Sequence, residues 1–286
     1  MAPRRSLREL TIAVIGAGRI GQAIIRAVKP CAAHIIGTGR RDETLQSVRN
    51  LGAEATRDNA YAVSRADLAI ISVKPYQFPE IAAQLRSRAQ GKIVVSVVAG
   101  VKLATLRGSF PGATVFRAMP NINALIAMST TALVAPGDQE FEEMLLVEEL
   151  FKCLGSVYWI PEEWMDAWTA LVGSGPAFIA EIVDALVLGA VMAGMPRQLA
   201  YKTLLDAIKA TAEHLTQTPL HPLELRDEVT TPGGTTIYGL MLLESQGVKA
   251  GLMRVVQGSY ERGRELGEKI DTAVREKLAE NNASHS

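Results

Sequence analysis

Hydrophobic residues follow two different patterns along the chain. Up to about residue 160, short β-branched apolar runs alternate with segments of helical period, which is typical of a doubly wound parallel sheet of the α/β class. Beyond Pro161 the pattern is helical only, from 164 to about 277. The sequence therefore predicts an α/β domain over residues 1–162 and an all-helical domain over residues 163–286. The expected strands are 11–15, 33–38, a short one before Asn59, 68–73, 92–98, 114–117, 130–134 and 156–160.

The most apolar segment, 178–195, indicates how the helical domain is completed. It approaches the length of a membrane span, but it carries Glu181 and Asp184 one turn apart and lacks flanking anchors. We expect a buried helix and no contact with a membrane. Such an apolar helix needs cover on nearly every side, and in a domain of this size a second subunit supplies that cover. The sequence thus predicts a homodimer through the helical domain.

Charge and cysteine content argue against several classes of protein. Lysine and arginine together number 30, and aspartate and glutamate also number 30, so the basic excess of a nucleic-acid-binding protein is lacking. Cys31 and Cys153 are the only cysteines, far apart and outside any Cys/His cluster, which argues against both a disulfide framework and a bound metal. Residues 1–10 are expected to be a short tail and lack signal-peptide form. These features predict a cytoplasmic protein.

Glycines between the first strand and the first helix point to a bound dinucleotide. The strand is followed by Gly16-Ala17-Gly18-Arg19-Ile20-Gly21, and a second strand follows at the spacing of one βαβ unit. In this Rossmann-like arrangement Gly16 allows the tight turn, Gly18 leaves space for a pyrophosphate, and Gly21 lets helix and strand pack closely. The phosphates rest on the helix N-terminus, so Arg19 and Ile20 are also expected at the cofactor.

The residues that close the second strand favour NADP over NAD. An NAD site expects an acidic residue about 20 positions after the glycines, whereas this strand ends with Gly39, Arg40 and Arg41. Two guanidinium groups suit a 2′-phosphate, and a hydrogen bond to a charged group contributes about 1.5–3 kcal/mol. We therefore predict NADPH as the cofactor, with NADH as the alternative.

Three further strand ends are expected to line the cofactor cleft, because ligands of doubly wound sheets lie at the carboxyl ends of the strands. They are marked by Ser72-Val73-Lys74-Pro75, by Ala99-Gly100 and by Met119-Pro120-Asn121. We predict cofactor contacts from Val73, Lys74, Pro75, Ala99, Gly100 and Met119. The four histidines, His34, His214, His221 and His285, provide no convincing general base.

The segment Val229-Thr230-Thr231-Pro232-Gly233-Gly234-Thr235-Thr236, called here the threonine segment, has the composition of an anion site. It places four hydroxyl groups and two glycines directly before a helical pattern. The first N–H groups of a helix have no intrahelical partner, and glycine lets a ligand approach the main chain. Helix capping explains one threonine but not four. We predict that the threonine segment binds a small anion such as a carboxylate.

Four motifs, in this order, resemble the pyrroline-5-carboxylate reductase family. They are residues 72–75, Arg117-Ala118-Met119-Pro120-Asn121, residues 169–178 and residues 227–236. The likeness extends from about Thr11 to the last helix. It implies reduction of the cyclic imine 1-pyrroline-5-carboxylate to L-proline by a nicotinamide dinucleotide, the last step of proline biosynthesis. It also implies a homo-oligomer built from dimers whose helical domains interlock.

The resemblance further implies roles for individual residues. The Thr231 hydroxyl and the N–H groups of Gly234 and Thr235 would hold the substrate carboxylate, and the Thr236 hydroxyl would act at the ring nitrogen as the catalytic group. Asn59 corresponds to an asparagine near the adenosine end of the cofactor. Ser174, in the Gly-Ser-Gly-Pro turn before the apolar helix, is a further substrate-pocket candidate.

Three alternative functions stay open on the sequence. A β-hydroxyacid dehydrogenase joins the same two domain types, but its acid–base lysine has no counterpart in residues 173–182. A non-catalytic NADP sensor would not need the threonine segment. A reductase of a related cyclic imino acid, with a six-membered or sulfur-containing ring, fits as well, because the sequence does not specify ring size.

Overall fold

The computed structural model describes residues 6–137 and 141–283. The chain divides into two compact units, one of residues 1–173 with 260–286 and one of residues 174–259. This division falls some residues after the boundary predicted at 162 and 163, and it groups the end of the last helix with the α/β unit. The sequence boundary therefore stays a prediction.

The first unit is built on an eight-stranded sheet. Its strands are β1 (Thr11–Ile15), β2 (His34–Thr38), β3 (Glu54–Thr56), β4 (Leu68–Ile71), β5 (Ile93–Ser96), β6 (Thr114–Met119), β7 (Ser129–Val134) and β8 (Gly155–Trp159). The spatial order is β3-β2-β1-β4-β5-β6-β7-β8, and β1 to β6 are all parallel. The predicted doubly wound α/β fold is confirmed. However, β7 runs antiparallel to β6 and β8 runs parallel to β7, a reversal that an apolar run cannot reveal.

Side chains of the central strands alternate between two hydrophobic layers, one on each face of the sheet. In β1, Ile12 and Val14 belong to one layer, and Ala13 and Ile15 belong to the other. Helices cover both layers, as the pattern of alternating strands and helices predicts. These helices are α1 (Arg19–Val28), α2 (Asp42–Asn50), α3 (Asn59–Arg65), α4 (Phe78–Leu85), α5 (Leu103–Ser109), α6 (Phe141–Lys152) and α7 (Met165–Trp168), with a π-helix at Thr169–Gly173.

The prediction of a tail over residues 1–10 is wrong for residues 6–10. Residues Leu7–Glu9 form a 3₁₀-helix, whose first turn is capped by the Ser6 hydroxyl accepting a hydrogen bond from the Arg8 N–H. Leu7 and Leu10 are buried in the first hydrophobic layer, which explains why this segment is ordered. Residues 1–5 lie outside the described residues.

The second unit contains only helices, as predicted. They are α8 (Gly175–Met192), α9 (Arg197–Gln217), α10 (Pro222–Val229), α11 (Thr235–Ser245) and the first part of α12 (Val248–Ala283). Its buried apolar side chains are few, and Val183, Val187 and Ala200 join α8 to α9. An ion pair between Arg197 and Asp184, at 3.0 Å, links the same two helices.

The prediction that the apolar segment 178–195 is buried is wrong for the single chain. Of the side chains on α8 only Val183 and Val187 are buried, while Leu186 and Met192 are 51% and 89% exposed. By length and composition alone, the helical stretch Glu162–Met192 also passes the test for a membrane-spanning segment. Such a surface is too apolar to stay in water, so its cover must come from outside the single chain.

Candidate functional site

The turn between β1 and α1 has the geometry of a pyrophosphate-binding loop. Gly16 has a φ of +89°, a left-handed conformation that favours glycine. A Cβ atom at Gly21 would lie 2.6 Å from the Gly16 carbonyl oxygen, so only glycine lets the helix approach this closely. A Cβ at Gly18 would meet no atom within 4 Å, which leaves the space in front of the loop open. The loop therefore fits the phosphates of a dinucleotide.

Thr38, the last residue of β2, holds this glycine loop in place. Its buried hydroxyl accepts a hydrogen bond from the Gly16 N–H at 3.0 Å, and its carbonyl oxygen accepts one from the Ala17 N–H at 2.7 Å. No side chain caps the start of α1, so the N–H groups of Arg19 and Ile20 are available to an anion. The sequence analysis did not predict this role of Thr38. Its position, a hydroxyl residue at the end of the strand next to β1, could have indicated it.

Arginine side chains surround the end of β2. Arg40 and Arg41 are exposed, and no ion pair to either is found within the described residues. Asp42, their neighbour in sequence, instead pairs with Arg57 at 2.6 Å, and the Arg57 Nε donates to the Arg40 carbonyl oxygen at 3.3 Å. Three arginines therefore follow the ends of β2 and β3, at the edge of the sheet where a 2′-phosphate is expected.

Arg57 was absent from the predicted site because it follows a different strand. In the register of the sheet Thr38 of β2 pairs with Thr56 of β3, so the residues after these two strands lie at the same edge. Arg57 directly follows Thr56. The end of β3 could have indicated Arg57, but this strand is too short to be recognised from an apolar pattern.

Two other predicted cofactor residues lie near strand ends with partners of their own. Asn59 opens α3, and its Nδ2 donates to the Gln84 Oε1 at 3.1 Å. Val73, just after β4, lies against the glycine loop, because a Cβ at Gly16 would be 2.7 Å from the Val73 Cγ1. The structure therefore brings Val73 and the loop together. Lys74 is exposed and Pro75 begins a short 3₁₀-helix.

Gly100 has a packing role that the sequence did not show. Its φ is +78°, and an added Cβ would lie 2.9 Å from the Ile270 Cδ1 on α12. Nearby, the buried Asp271 carboxylate accepts a hydrogen bond from the Lys102 N–H at 2.9 Å. The end of α12 is thus fixed to the loop after β5. Of the remaining predicted wall residues, Ala99 is exposed and Met119 is half-buried.

The motif at residues 117–121 is held by buried polar contacts. Arg117 forms an ion pair with Glu162 at 2.8 Å, and the same Glu162 oxygen accepts from the Leu103 N–H at 2.7 Å. The buried Asn121 donates from Nδ2 to the Val172 carbonyl oxygen at 3.2 Å, within the π-helix. These contacts give both residues a structural role and connect the end of β6 to the segment before Ser174.

The threonine segment runs from the last residue of α10 to the first two residues of α11 in the second unit. Gly233 has a φ of +67°, and a Cβ at Gly234 would lie 2.4 Å from the Thr231 Oγ1, so this turn requires its glycines. The Gly234 N–H donates to the Thr231 carbonyl oxygen at 3.1 Å. The N-cap residue of α11 is Gly234, which has no side chain to cap the helix, so the N–H groups of Thr235 and Thr236 are the donors that the helix start offers to an anion. Thr231 and Thr235 are exposed, and Thr236 is half-buried.

Other polar groups have structural partners. The imidazole of His34 lies 2.7 Å from the Glu54 carboxylate, and this hydrogen bond holds the pKa of Glu54 below its usual value. His221 caps α10 by accepting from the Leu223 N–H, and His285 lies outside the described residues. Ser174 is half-buried at the start of α8. Across residues 6–137 and 141–283 no group of three or more His, Cys, Asp or Glu side chains is placed to hold a metal.

A Rossmann-like unit with an open phosphate loop and a helical unit with an uncapped, threonine-rich helix start define an oxidoreductase that uses a nicotinamide dinucleotide. Residues 162–266 match the protein family described as pyrroline-5-carboxylate reductase dimerisation. Residues 11–100 match the family described as NADP oxidoreductase, coenzyme F420-dependent.

Similar proteins cover nearly the whole chain. A pyrroline-5-carboxylate reductase from Synechocystis is 35% identical over 267 residues, which are 91% of this chain and 99% of that protein. A solved 1-pyrroline-5-carboxylate reductase from Streptococcus pyogenes is 29% identical, with a TM-score of 0.82 over 90% of this chain and 98% of the other. A Plasmodium falciparum pyrroline carboxylate reductase with NADP bound shares the fold, at 21% identity and a TM-score of 0.81 over 91% and 99%.

The chain belongs to the pyrroline-5-carboxylate reductase family, which confirms the resemblance carried by its motifs. The match over 162–266 assigns dimerisation to the helical region, so the predicted homodimer through this region is supported as well. A partner subunit explains why α8 is apolar yet exposed in the single chain.

Proposed function

We propose that this chain is a pyrroline-5-carboxylate reductase that transfers hydride from NADPH to the cyclic imine 1-pyrroline-5-carboxylate and forms L-proline. The observation that carries the proposal is the extent of the likeness, because the Synechocystis relative is matched over 99% of its length. The phosphate loop lies inside the family match over residues 11–100, and the threonine segment lies inside the family match over residues 162–266. The reaction is the last step of proline biosynthesis.

The residues of the first unit bind and orient the cofactor. The N–H groups of Arg19 and Ile20 meet the pyrophosphate, and Arg40 and Arg41 hold the 2′-phosphate. Asn59 lies at the adenosine end, while Val73, Lys74, Pro75, Ala99, Gly100 and Met119 line the cleft at the strand ends. Bound NADPH supplies the hydride, and NADH is the weaker alternative because a 2′-hydroxyl gives the guanidinium groups no charge to pair with.

The residues of the threonine segment bind the substrate. The Thr231 hydroxyl and the Thr235 N–H hold the carboxylate, with Ser174 as an additional pocket residue. The Gly234 N–H first has to leave the Thr231 carbonyl oxygen, 3.1 Å away, before it can contribute. The Thr236 hydroxyl hydrogen-bonds the ring nitrogen and sets the orientation of the imine.

The chemistry requires little from acid–base residues. A protonated cyclic imine is already a good hydride acceptor, so accurate positioning of the ring supplies most of the rate acceleration. A helix N-terminus stabilises an anion by about 0.3–1 kcal/mol when exposed and up to about 2 kcal/mol when partly buried. Several contacts must therefore act together on the carboxylate, which agrees with its assignment to both the Thr231 hydroxyl and the Thr235 N–H.

The functional assembly is a homodimer that associates into a larger homo-oligomer in the cytoplasm. The dimerisation match and the exposed apolar side chains of α8 support the dimer. A net charge of zero gives no attraction to nucleic acid or to an anionic membrane. Because residues 162–266 match a dimerisation family, the apolar face of α8 is assigned to subunit contact and not to lipid.

The decisive experiment measures loss of NADPH absorbance with 1-pyrroline-5-carboxylate and, in parallel, with its six-membered homologue. We expect turnover with both NADPH and NADH, a higher kcat/KM with NADPH, and a preference for the five-membered ring. A preference for the six-membered ring would reassign the substrate. NADPH binding without oxidation in the presence of either imine would instead favour a sensor protein and overturn the proposal.

A further inference from the structure

Cys31 and Cys153 lie side by side although 122 positions separate them in the sequence. Their Sγ atoms are 3.2 Å apart, and both thiols are free. Cys31 lies in the turn after α1, and Cys153 lies in the turn between α6 and β8. The distance along the chain argued against a disulfide framework, but the fold brings the two thiols together.

The backbone around each cysteine is held by hydrogen bonds. The Cys31 N–H donates to the Val28 carbonyl oxygen at 2.8 Å, and the Cys153 N–H donates to the Leu150 carbonyl oxygen at 3.3 Å. Both side chains pack against the same hydrophobic layer of the sheet. A disulfide bond is about 2.05 Å long, so the two sulfur atoms need to approach by only about 1.2 Å.

We propose that Cys31 and Cys153 form a reversible intrachain disulfide by exchange with a low-molecular-weight disulfide such as oxidised glutathione. In the first step one protein thiolate attacks the small disulfide, which releases one glutathione and leaves a mixed disulfide. In the second step the other protein thiolate attacks the protein sulfur of that mixed disulfide and releases the second glutathione. Two protein thiols are oxidised, and one small disulfide is reduced to two thiols.

The surroundings of the two thiols set the order of attack. Burial, followed by the hydrogen bond with Cys31 and the charge of Glu149 on α6, raises the pKa of the Cys153 thiol to about 12. Since the thiolate is the attacking species, Cys153 is a poor first nucleophile at neutral pH. Cys31 therefore attacks first and Cys153 closes the bond. Because closure needs the Cys153 thiolate and burial raises the pKa of this thiol, the rate of closure is expected to rise with pH.

The disulfide is expected to stabilise the first unit without blocking the dinucleotide. The ten residues of α1 separate Cys31 from the glycine loop, which corresponds to about 15 Å of helix. The bond closes a long loop that contains β2 to β7, and loop closure stabilises a protein more as the loop lengthens. We expect oxidation to raise the melting temperature by about 5–10 °C.

The test equilibrates the full-length protein in glutathione buffers of increasing oxidised fraction, followed by acid quenching, non-reducing peptide mapping and thermal unfolding. We expect one cross-linked peptide pair that contains both cysteines, a higher melting temperature, and reversal of both changes by dithiothreitol. Separate glutathione adducts on the two cysteines, or covalent dimers on a non-reducing gel, would overturn the proposal. These readouts are independent of catalytic activity.

Two single variants test the order of attack. The Cys153→Ser protein should retain one glutathione on Cys31 and gain no thermal stability on oxidation. The Cys31→Ser protein should react far more slowly at pH 7.5, since only the thiol with the raised pKa remains. Equal reaction rates for the two variants would disprove the order. Melting temperatures in reducing buffer establish that both variants are folded before their rates are compared.

Discussion

The guanidinium groups near the end of β2 are not equivalent. Arg57 is engaged with Asp42, at 2.6 Å, whereas Arg40 and Arg41 are exposed and without an ion pair in the part of the chain that the structure describes. A charged hydrogen bond contributes about 1.5–3 kcal/mol. We expect Arg40→Ala and Arg41→Ala each to raise the KM for NADPH by about 10- to 100-fold and to leave the KM for NADH nearly unchanged.

Steady-state kinetics with both cofactors measure this change in preference. Arg65→Ala is the matched control, because Arg65 is also an exposed arginine of the first unit but lies over the ring of Tyr61. An equal increase in the KM for NADPH and the KM for NADH in the Arg40 and Arg41 variants would show that these side chains do not contact the 2′-phosphate.

Threonine hydroxyls within the threonine segment are also expected to differ in their effects. Thr236→Val keeps the shape of the side chain and removes the group proposed to act at the ring nitrogen. We expect kcat/KM for the imine to fall by about tenfold or more, with no change in the Kd of NADPH. Thr230→Val is the control, because the Thr230 hydroxyl already donates to the Arg226 carbonyl oxygen at 2.7 Å. Unchanged kcat/KM in Thr236→Val would exclude the hydroxyl from the reaction.

At the scale of the elements, two glycines at the junction of β1 with α1 have different roles. Gly18 matters for cofactor binding only, whereas Gly21 also matters for folding. A methyl group at Gly18 meets no protein atom within 4 Å, whereas one at Gly21 meets the Gly16 carbonyl oxygen at 2.6 Å. We expect Gly18→Ala to keep the melting temperature and weaken NADPH binding, because the methyl group enters only the space of the pyrophosphate. Gly21→Ala should lower both the melting temperature and the affinity for NADPH. Thermal unfolding and fluorescence titration with NADPH distinguish the two outcomes, and equal destabilisation by both variants would contradict the geometry.

Elements that are specified by residues adjacent in the chain could be predicted from the sequence. The glycine loop, the order of strands and helices and the position where α11 starts depend on residues adjacent in the chain, and the structure contains each of these elements. Thr38, Arg57 and the Cys31–Cys153 pair depend on which strands and turns become neighbours, so a linear pattern could not show them. The reversal of β7 and β8 was missed because hydrophobic period does not encode strand direction. The exposure of α8 in the single chain agrees with the prediction that a second subunit covers this helix.

At the scale of the whole molecule, the main feature is the apolar surface of the helical unit, which the single chain leaves uncovered. Leu186 on α8 is 51% exposed, although it lies within the match to the dimerisation family. A charge at this position would have to be buried without a partner on assembly, which costs several kcal/mol. We therefore expect Leu186→Arg to shift the protein from dimers and larger assemblies toward monomers.

Sedimentation velocity and light scattering after size exclusion measure this shift. Ile126→Arg is the matched control, since Ile126 is 68% exposed but lies in the first unit, outside residues 162–266. The control should keep the oligomeric state of the unmodified protein. In the Leu186→Arg monomer the apolar face of α8 is left in water. This monomer should therefore aggregate on heating at a lower temperature than the control. A stable, fully active Leu186→Arg monomer would show that the helical unit does not need its partner, and the subunit contact would then have to be sought on the α/β unit.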